Sequence, residues 1–207
     1  WVTSNPATVQ FNSKYVDGCL KAAETALEDL KPAEVYVGSA MTENLNFVRR
    51  YVYKATGTYA GGEVGDPYDP AVYAHESEAD GQLQIIKFDR ETKKDVVLCN
   101  WQCHPTGPGG ESDTRVSADW IGSLRDTVEK EADVLFSFHQ GAEGNLGQSS
   151  RLVGLPKWGN ENFVSHGKEI AKTAKSFIFI FVISVAENEL IFKSGKILNK
   201  SEGLSII

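Results

Sequence analysis

The chain alternates strand-like and helix-like segments between residues 82 and 138, and this alternation constrains its fold more than any other feature. Residues 82–88 and 95–102 alternate apolar and polar side chains, and the short turn between them predicts a β-hairpin. Residues 117–130 show an apolar stripe at helical spacing, with Ser117 as the predicted N-cap. Residues 134–138 form a near-continuous apolar run, typical of a strand covered on both faces. The sequence therefore predicts an α/β fold with a mixed β-sheet flanked by helices.

The segments on either side extend this pattern. Residues 13–30 carry apolar side chains every three or four positions, which predicts a helix that ends before Pro32. A short strand is predicted over 34–39 and a third helix over 160–175. Residues 40–81 are rich in glycine and proline, and they are predicted to form a long irregular region, which in compact domains tends to be functional or mobile.

The segment from residue 176 onward differs in composition from the rest of the chain. It contains no Asp, Pro or His, and its aromatic residues are all Phe. The apolar run over 177–185 has nine residues, whereas a bilayer-spanning helix needs about 20. We therefore predict a buried strand there and no transmembrane segment. Two interpretations of 176–207 stay open, a native strand with a solvated end or a terminus that is not native to the fold, and we divide the chain into 1–175 and 176–207.

The charge and the cysteines exclude some classes of protein. The 21 Lys and Arg against 28 Asp and Glu give a formal net charge of −7, which argues against a sequence-independent nucleic-acid binder. The cysteines are Cys19, Cys99 and Cys103, too few for a disulfide scaffold. Cys99 and Cys103 stand close to His104, but buried apolar thiols explain them better than a metal site does.

The start of the chain bears on completeness and location. The chain begins at Trp1 and its single methionine is Met41, so we expect a processed or partial chain that carries part of a larger domain. The first ten residues lack the long apolar core of a secretory signal. The compartment therefore stays open, with secretion or periplasmic export among the alternatives.

Two histidines begin the loops that follow predicted strands. His104 follows the strand over 95–102, and His139 follows the strand over 134–138. Ligands of open α/β sheets bind beyond the carboxyl ends of strands, so the two histidines are candidates for a metal or acid–base site. Asp119 and Glu143 are further candidate ligands. The alternative is a loop histidine whose ring is hydrogen-bonded to the backbone.

Two other features could serve the same site. The segment over 141–147, GAEGNLG, spaces its glycines by three and could form an anion-binding nest of backbone N–H groups, or simply a turn after a strand. Arg49 and Arg50 would lie on opposite faces of a strand, so one of them would point inward and need a partner. An inward arginine could clamp a carbonyl or carboxylate oxygen.

A series of short motifs then occurs in a characteristic order from about residue 10 to 150, and the order carries more weight than any one motif. The motifs are 46–51 (NFVRRY), 69–70 (DP), 103–106 (CHPT), 117–122 (SADWIG) and 141–146 (GAEGNL). This series resembles the neutral/alkaline non-lysosomal ceramidase family, especially its bacterial members.

The resemblance implies hydrolysis of the amide bond of N-acylsphingosine, or of a related small-molecule or lipid amide, with one zinc ion. His104 matches a zinc-ligating histidine and Arg49 an arginine near the substrate, while Asp119 matches a motif aspartate close to the site. The family's other zinc ligands have no recognisable counterpart in this chain, so they are expected to lie outside it. Gly147 replaces the family's serine, so hydrolysis would rely on water activated by the metal.

These observations leave three hypotheses. The first is a zinc-dependent hydrolase resembling neutral ceramidase, with His104 as the metal ligand and Arg49 and Asp119 as catalytic residues. The second is a catalytically silent domain without a full metal site. The third is a histidine-based hydrolase that pairs His139 with Cys103 or Ser149.

Overall fold

The computed structural model describes residues 5–62, 66–107 and 116–187. The chain divides into two compact units, Trp1–Ala33 and Glu34–Ile207. The first unit contains helix α1, Pro6–Glu28. This helix begins seven residues before the predicted start at residue 13, because Asn5 acts as the N-cap. Its Oδ1 accepts a hydrogen bond of 2.9 Å from the Ala7 N–H, and Pro6 suits the first turn, where no N–H is needed.

The second unit contains strands, two α-helices and a single 3₁₀ turn among its described residues. In chain order these are β1 (Glu34–Met41), β2 (Phe47–Val48), β3 (Tyr51–Tyr53), β4 (Tyr59–Gly61), β5 (Tyr73–His75), β6 (Gln82–Asp89), β7 (Val96–Trp101), α2 (Asp119–Ala132), β8 (Leu135–Gln140), β9 (Leu146–Gly147), the 3₁₀ turn (Asn160–Asn162) and α3 (Phe163–Glu187).

The main sheet has the strand order β1-β6-β7-β8. Strand β6 pairs antiparallel with β1 and with β7, and β7 pairs parallel with β8. The predicted hairpin and the mixed character of the sheet are therefore confirmed, and so is the α/β class. The parallel pair follows from α2, which carries the chain back to the start of β8 as a crossover connection.

One face of this sheet forms the core with α2 and α3. Alternate side chains of the central strands are fully buried, because every second residue of a strand points to the same face. The buried apolar cluster consists mainly of Leu83, Ile85, Val97, Cys99, Trp101, Trp120, Leu124, Val128, Phe136, Ile170, Ala174 and Ile178. Cys99 and Cys103 are both buried thiols, as expected. On the opposite face Leu135 is 43% exposed, so the prediction that both faces of the strand over 134–138 are covered is wrong.

Helix α3 corrects the predictions for the C-terminal part of the chain. The helix predicted over 160–175 continues to Glu187, so the strand predicted over 177–185 is wrong. Ile170, Ala174 and Ile178 are buried at intervals of four, which is helical spacing. A short, mostly apolar run of this kind does not by itself distinguish a strand from a buried helical turn. Within the described ranges, no helix is both long and apolar enough to cross a membrane. The part of the predicted segment 176–207 beyond residue 187 lies outside the described residues.

The region over 40–81, predicted to be irregular, contains four short strands in two small sheets. Strand β2 pairs with β9, and β3 lies between β4 and β5. These strands have two or three residues each, too short for an alternating pattern to show in the sequence.

His166 of α3 lies in the aromatic part of the core and is 0% exposed. Its Nε2 lies 2.6 Å from the Leu45 carbonyl oxygen, and because a carbonyl can only accept, Nε2 carries the proton. The ring stacks on Trp158 with centroids 5.5 Å apart. Burial lowers the pKa of His166 to about 4, against a smaller opposing effect of the hydrogen bond to Leu45.

This burial predicts a loss of stability in acid. In the unfolded chain His166 binds a proton with an ordinary pKa of about 6.5. In the folded chain, burial disfavours protonation of the same ring. The stability that His166 contributes is therefore fully present above pH about 6.5 and is lost progressively as the pH falls towards 4. We expect His166 to lower the free energy of unfolding by about 3 kcal/mol in total over this pH range.

Urea unfolding from pH 7.5 to 4.5 measures this change in the free energy of unfolding. His166→Gln, which can still donate to Leu45 but does not titrate, should show a shallower pH dependence; equal slopes in the two proteins would contradict the prediction.

Candidate functional site

His104 lies three residues beyond Trp101, the last paired residue of β7, where the sheet ends. Its backbone N–H donates a 3.2 Å hydrogen bond to the Leu146 carbonyl, which fixes the residue against β9. Its ring Nδ1 lies 3.5 Å from Glu143 Oε1, and both side chains are about 30% exposed, at 28% and 31%. The histidine is therefore accessible, and it has a carboxylate on one side of its ring.

Asp119 is buried at the start of α2 and has an unusual backbone, with φ of 55°. Its carboxylate accepts a hydrogen bond of 2.5 Å from the Trp120 N–H and another from the Gly107 N–H. The predicted cap Ser117 stands outside the helix and accepts the Asp119 N–H at 3.0 Å through its Oγ. Asp119 thus ties the loop that follows His104 to the first turn of α2.

Gln148 joins His104 to Asp119, and the sequence alone did not single it out. Its Nε2 donates to the His104 carbonyl at 3.0 Å and to the two Asp119 carboxylate oxygens at 3.3 and 3.4 Å. All three partners are acceptors, so the amide nitrogen must face them and Oε1 must point elsewhere. Gln148 is only 3% exposed, and its Oε1 has no hydrogen-bond partner within the described residues. The one sequence signal was its position directly after the GAEGNLG segment.

The backbone of Arg49 lies next to β9, the strand that also contacts His104. Strand β2 pairs with β9 in the register Phe47 to Gly147 and Val48 to Leu146. One residue further on, the Arg49 N–H donates to the Asn145 carbonyl at 2.9 Å. The side chain of Arg49 is partly buried, whereas its neighbour Arg50 is exposed.

The segment over 143–148, which we call the bridging segment, therefore contacts all three predicted site residues. Its backbone binds Arg49 and His104, and its Gln148 side chain binds Asp119. The Leu146 N–H donates to the Glu143 carbonyl at 2.7 Å, which closes a tight turn inside the segment. Gly141, Gly144 and Gly147 all have ordinary negative φ, so the anion-binding nest predicted for GAEGNLG does not form. The alternative prediction, a turn after a strand, describes the segment better.

Other predicted partners lie apart from this arrangement. His139 is exposed on β8, and its Nε2 lies 3.4 Å from Ser137 Oγ. Cys103 is fully buried, and Ser149 Oγ accepts the Gly159 N–H at 3.1 Å. The structure therefore does not pair His139 with Cys103 or Ser149, and the third hypothesis has no geometric basis.

A separate open cleft of about 770 Å³ lies beside β2 and β5. Its lining includes Asn46, Phe47 and His75. The three predicted site residues, His104, Arg49 and Asp119, do not line it. His75 holds its ring through Nδ1, 2.6 Å from the Val48 carbonyl, and Nε2, 3.0 Å from Ser150 Oγ. Ser150 is 1% exposed, so its hydroxyl is buried, whereas the His75 ring is only partly buried at the wall of the cleft.

Comparison with solved structures identifies the architecture. The crystal structure of neutral ceramidase from Pseudomonas aeruginosa aligns with 78% of this chain at a TM-score of 0.56 and 19% sequence identity. The chain has a ceramidase-like fold. A structure described as ceramidase complexed with C2 aligns with 74% of the chain at a TM-score of 0.52, also with 19% identity. No protein-family model and no curated protein matches the chain.

This ceramidase-like fold confirms the architecture that the motif order implied. The chain spans 25% and 23% of the length of the two ceramidase structures, about a quarter of each. At 19% identity the likeness concerns the fold, and the activity has to be argued from the residues of the site.

The residues of the ceramidase-like fold allow a test of whether zinc fits. Zinc in proteins takes three or four His, Cys, Asp or Glu ligands. In 5–62, 66–107 and 116–187, no group of three such residues is arranged to hold a metal ion. His104 is a residue of a type that binds zinc, and Glu143 lies beside its Nδ1 at 3.5 Å. The described residues therefore fit one part of a zinc site and do not complete it.

Proposed function

We propose that the chain forms part of a zinc-dependent hydrolase that resembles neutral ceramidase and cleaves the amide bond of N-acylsphingosine or a related lipid amide. The observation that carries the proposal is the bridging segment, which brings His104, Arg49 and Asp119 to one end of the main sheet. The ceramidase-like fold and the motif order support the same function.

Each residue has a proposed role that follows from its contacts. His104 provides one zinc ligand through Nε2, and the remaining ligands come from residues outside this chain. Arg49, held by the backbone at the bridging segment, orients the substrate or stabilises the negative charge that develops on its carbonyl oxygen. Asp119 acts through Gln148 and the loop after His104, and so positions the histidine. When bound, zinc polarises a carbonyl and activates water for attack, chemistry that needs no nucleophile at Gly147.

Removal and return of zinc test the proposal directly. We expect the full-length protein to purify with about one zinc ion and to hydrolyse N-acylsphingosine. Dialysis against a chelator should lower the hydrolysis rate at least about 100-fold, and added zinc should restore it. Protein treated with the zinc-saturated chelator is the control. Hydrolysis that survives complete zinc removal would contradict the proposal.

The second candidate function is a catalytically silent domain without a full metal site. It is favoured by the absence of three grouped ligands in the part of the chain that the structure describes. Calorimetric titration of the 207-residue chain with zinc, combined with the hydrolysis assay of the full-length protein, distinguishes the two. Tight binding of one ion per chain would refute the silent domain, whereas weak or no binding together with no hydrolysis by the full-length protein would support it.

A further inference from the structure

We propose that the open cleft beside β2 and β5 binds a small organic ammonium ion. The positive head group of this ligand pairs with the carboxylates of Glu43 and Glu78, and its hydrocarbon body packs on Phe47, Val48 and Leu155, which all line the cleft. The site does not depend on the proposed hydrolysis, since binding there is measured without zinc and without enzymatic activity.

The cleft has the size of a small-molecule site, and its lining is held in place by hydrogen bonds. Its volume is about 770 Å³, and small-molecule sites measure about 300–1,000 Å³. Most of the lining comes from two segments of the chain, residues 42–48 and 75–79. His75 Nδ1 lies 2.6 Å from the Val48 carbonyl oxygen and so joins the two segments. The Thr42 N–H donates to the Gly81 carbonyl at 2.8 Å. Because these bonds already fix the lining, a ligand loses little free energy in ordering it.

The charge of the cleft is negative and is not compensated by its own residues. Glu43 and Glu78 are exposed, and neither has an ion-pair or hydrogen-bond partner among the residues that the structure describes. No Lys or Arg belongs to the lining. Burial lowers the pKa of His75, against a smaller opposing effect of its hydrogen bond to Val48, so the ring is neutral at pH 7 and adds no positive charge. A cleft lined by one sign of charge concentrates ions of the opposite sign, and here those ions are cations.

The remaining lining residues favour an organic cation over a metal ion. Calcium, the metal ion that carboxylates commonly bind, takes six to eight oxygen ligands. Within 5–62, 66–107 and 116–187, no group of three His, Cys, Asp or Glu could hold a metal ion. Phe47 and Val48 are 5% and 3% exposed, so they form an apolar floor, and Leu155 is partly exposed beside them. An ammonium group on a hydrocarbon chain can cover this floor and pair with the carboxylates, whereas a bare cation leaves the floor in contact with water.

Titration with hexylammonium tests the site directly. In ¹H–¹⁵N spectra of the 207-residue chain at pH about 7.5, we expect saturable shifts of the backbone amides in 42–48 and 75–79. Alkylamines keep their proton at this pH, as lysine does. Methylammonium lacks the hydrocarbon body and hexanoate carries the opposite charge, so each should bind at least about 10-fold more weakly than hexylammonium.

Variants of the two carboxylates test the role of the charge. Glu43→Gln and Glu78→Gln should each weaken hexylammonium binding about 2- to 5-fold, and the double variant about 10-fold, because each removes one exposed charge near the head group. Added salt should weaken binding to the wild type more than to the double variant. Glu169→Gln is the matched control, since Glu169 lies on α3 beside Lys172 and does not line the cleft.

Three results would overturn the proposal. The first is hexanoate binding as tightly as hexylammonium, and the second is an unchanged affinity for hexylammonium in the double variant. The third is the absence of saturable shifts in the two lining segments of the folded wild-type chain. The substitutions lie at exposed side chains without partners among the described residues, so the variants are expected to fold and the comparison stays decisive.

Discussion

Replacing His104 with alanine should reduce the zinc content of the full-length protein to less than about a tenth of the wild-type value and abolish measurable amide hydrolysis, because zinc sites lose affinity steeply with each missing ligand. The stability of the fold should change little. The imidazole is 28% exposed, and the backbone hydrogen bond from residue 104 to Leu146 does not depend on the side chain. Metal analysis, hydrolysis of N-acylsphingosine and thermal unfolding measure the three quantities on one preparation.

The matched control for this experiment is His139→Ala. His139 also stands at the end of a strand of the main sheet, but it contacts Ser137 rather than the bridging segment. This variant should keep both its zinc and its activity. If His104→Ala retains zinc while His139→Ala loses it, the ligand assignment drawn from the motif order is wrong.

Replacing Trp120 with alanine should lower the free energy of unfolding by about 3–5 kcal/mol, the usual cost of deleting a fully buried large side chain. Trp120 is 0% exposed. Its ring meets Trp101 and Phe138 edge to face, with centroids 5.3 and 5.0 Å apart, and it packs against His166 at 5.7 Å. Deletion would leave a cavity between the sheet and both helices. Urea denaturation followed by circular dichroism measures the change.

Two comparisons make the Trp120 prediction specific. Trp120→Phe keeps most of the ring contacts and should cost clearly less than alanine, and the lost indole N–H has no hydrogen-bond partner among the described residues. Leu135→Ala removes a side chain that is 43% exposed on the open face of the sheet and should cost less than about 1 kcal/mol. A Trp120→Ala protein as stable as Leu135→Ala would show that the core is not centred on Trp120.

The Trp120 variant also tests the link between core and site. The backbone N–H of Trp120 donates to the Asp119 carboxylate. The same carboxylate accepts a hydrogen bond from Gln148, whose amide also donates to the His104 carbonyl. Loss of packing under the first turn of α2 should therefore loosen the loop after His104. The geometry of the site is thus partly a consequence of the core.

Local patterns in the sequence were sufficient for the long elements. The alternating residues of β6 and β7 predicted a hairpin, and the apolar stripe of α2 predicted a helix, because each pattern follows from the repeat of one element. The same reasoning failed for α1, whose start depends on one cap at Asn5, and for α3. A short apolar run fits either period, so only its packing shows that α3 continues as a helix.

The sequence predicted which residues form the candidate site, but it did not predict how they are arranged in space. The motif order singled out His104, Arg49 and Asp119 as candidate site residues. Gln148 could not be predicted in this way. Gln148 stands 44 residues from His104 and 29 from Asp119, and no periodic pattern relates positions so far apart.

The sequence by itself determined which segments are strands and helices in the central part of the chain, and which side chains are chemically able to serve a site. Only the tertiary structure decided that one short segment, 143–148, joins Arg49, His104 and Asp119. The physical reason is that side-chain periodicity is a property of neighbouring residues. Hydrogen bonds between distant segments form only where packing of the core has already fixed their backbones.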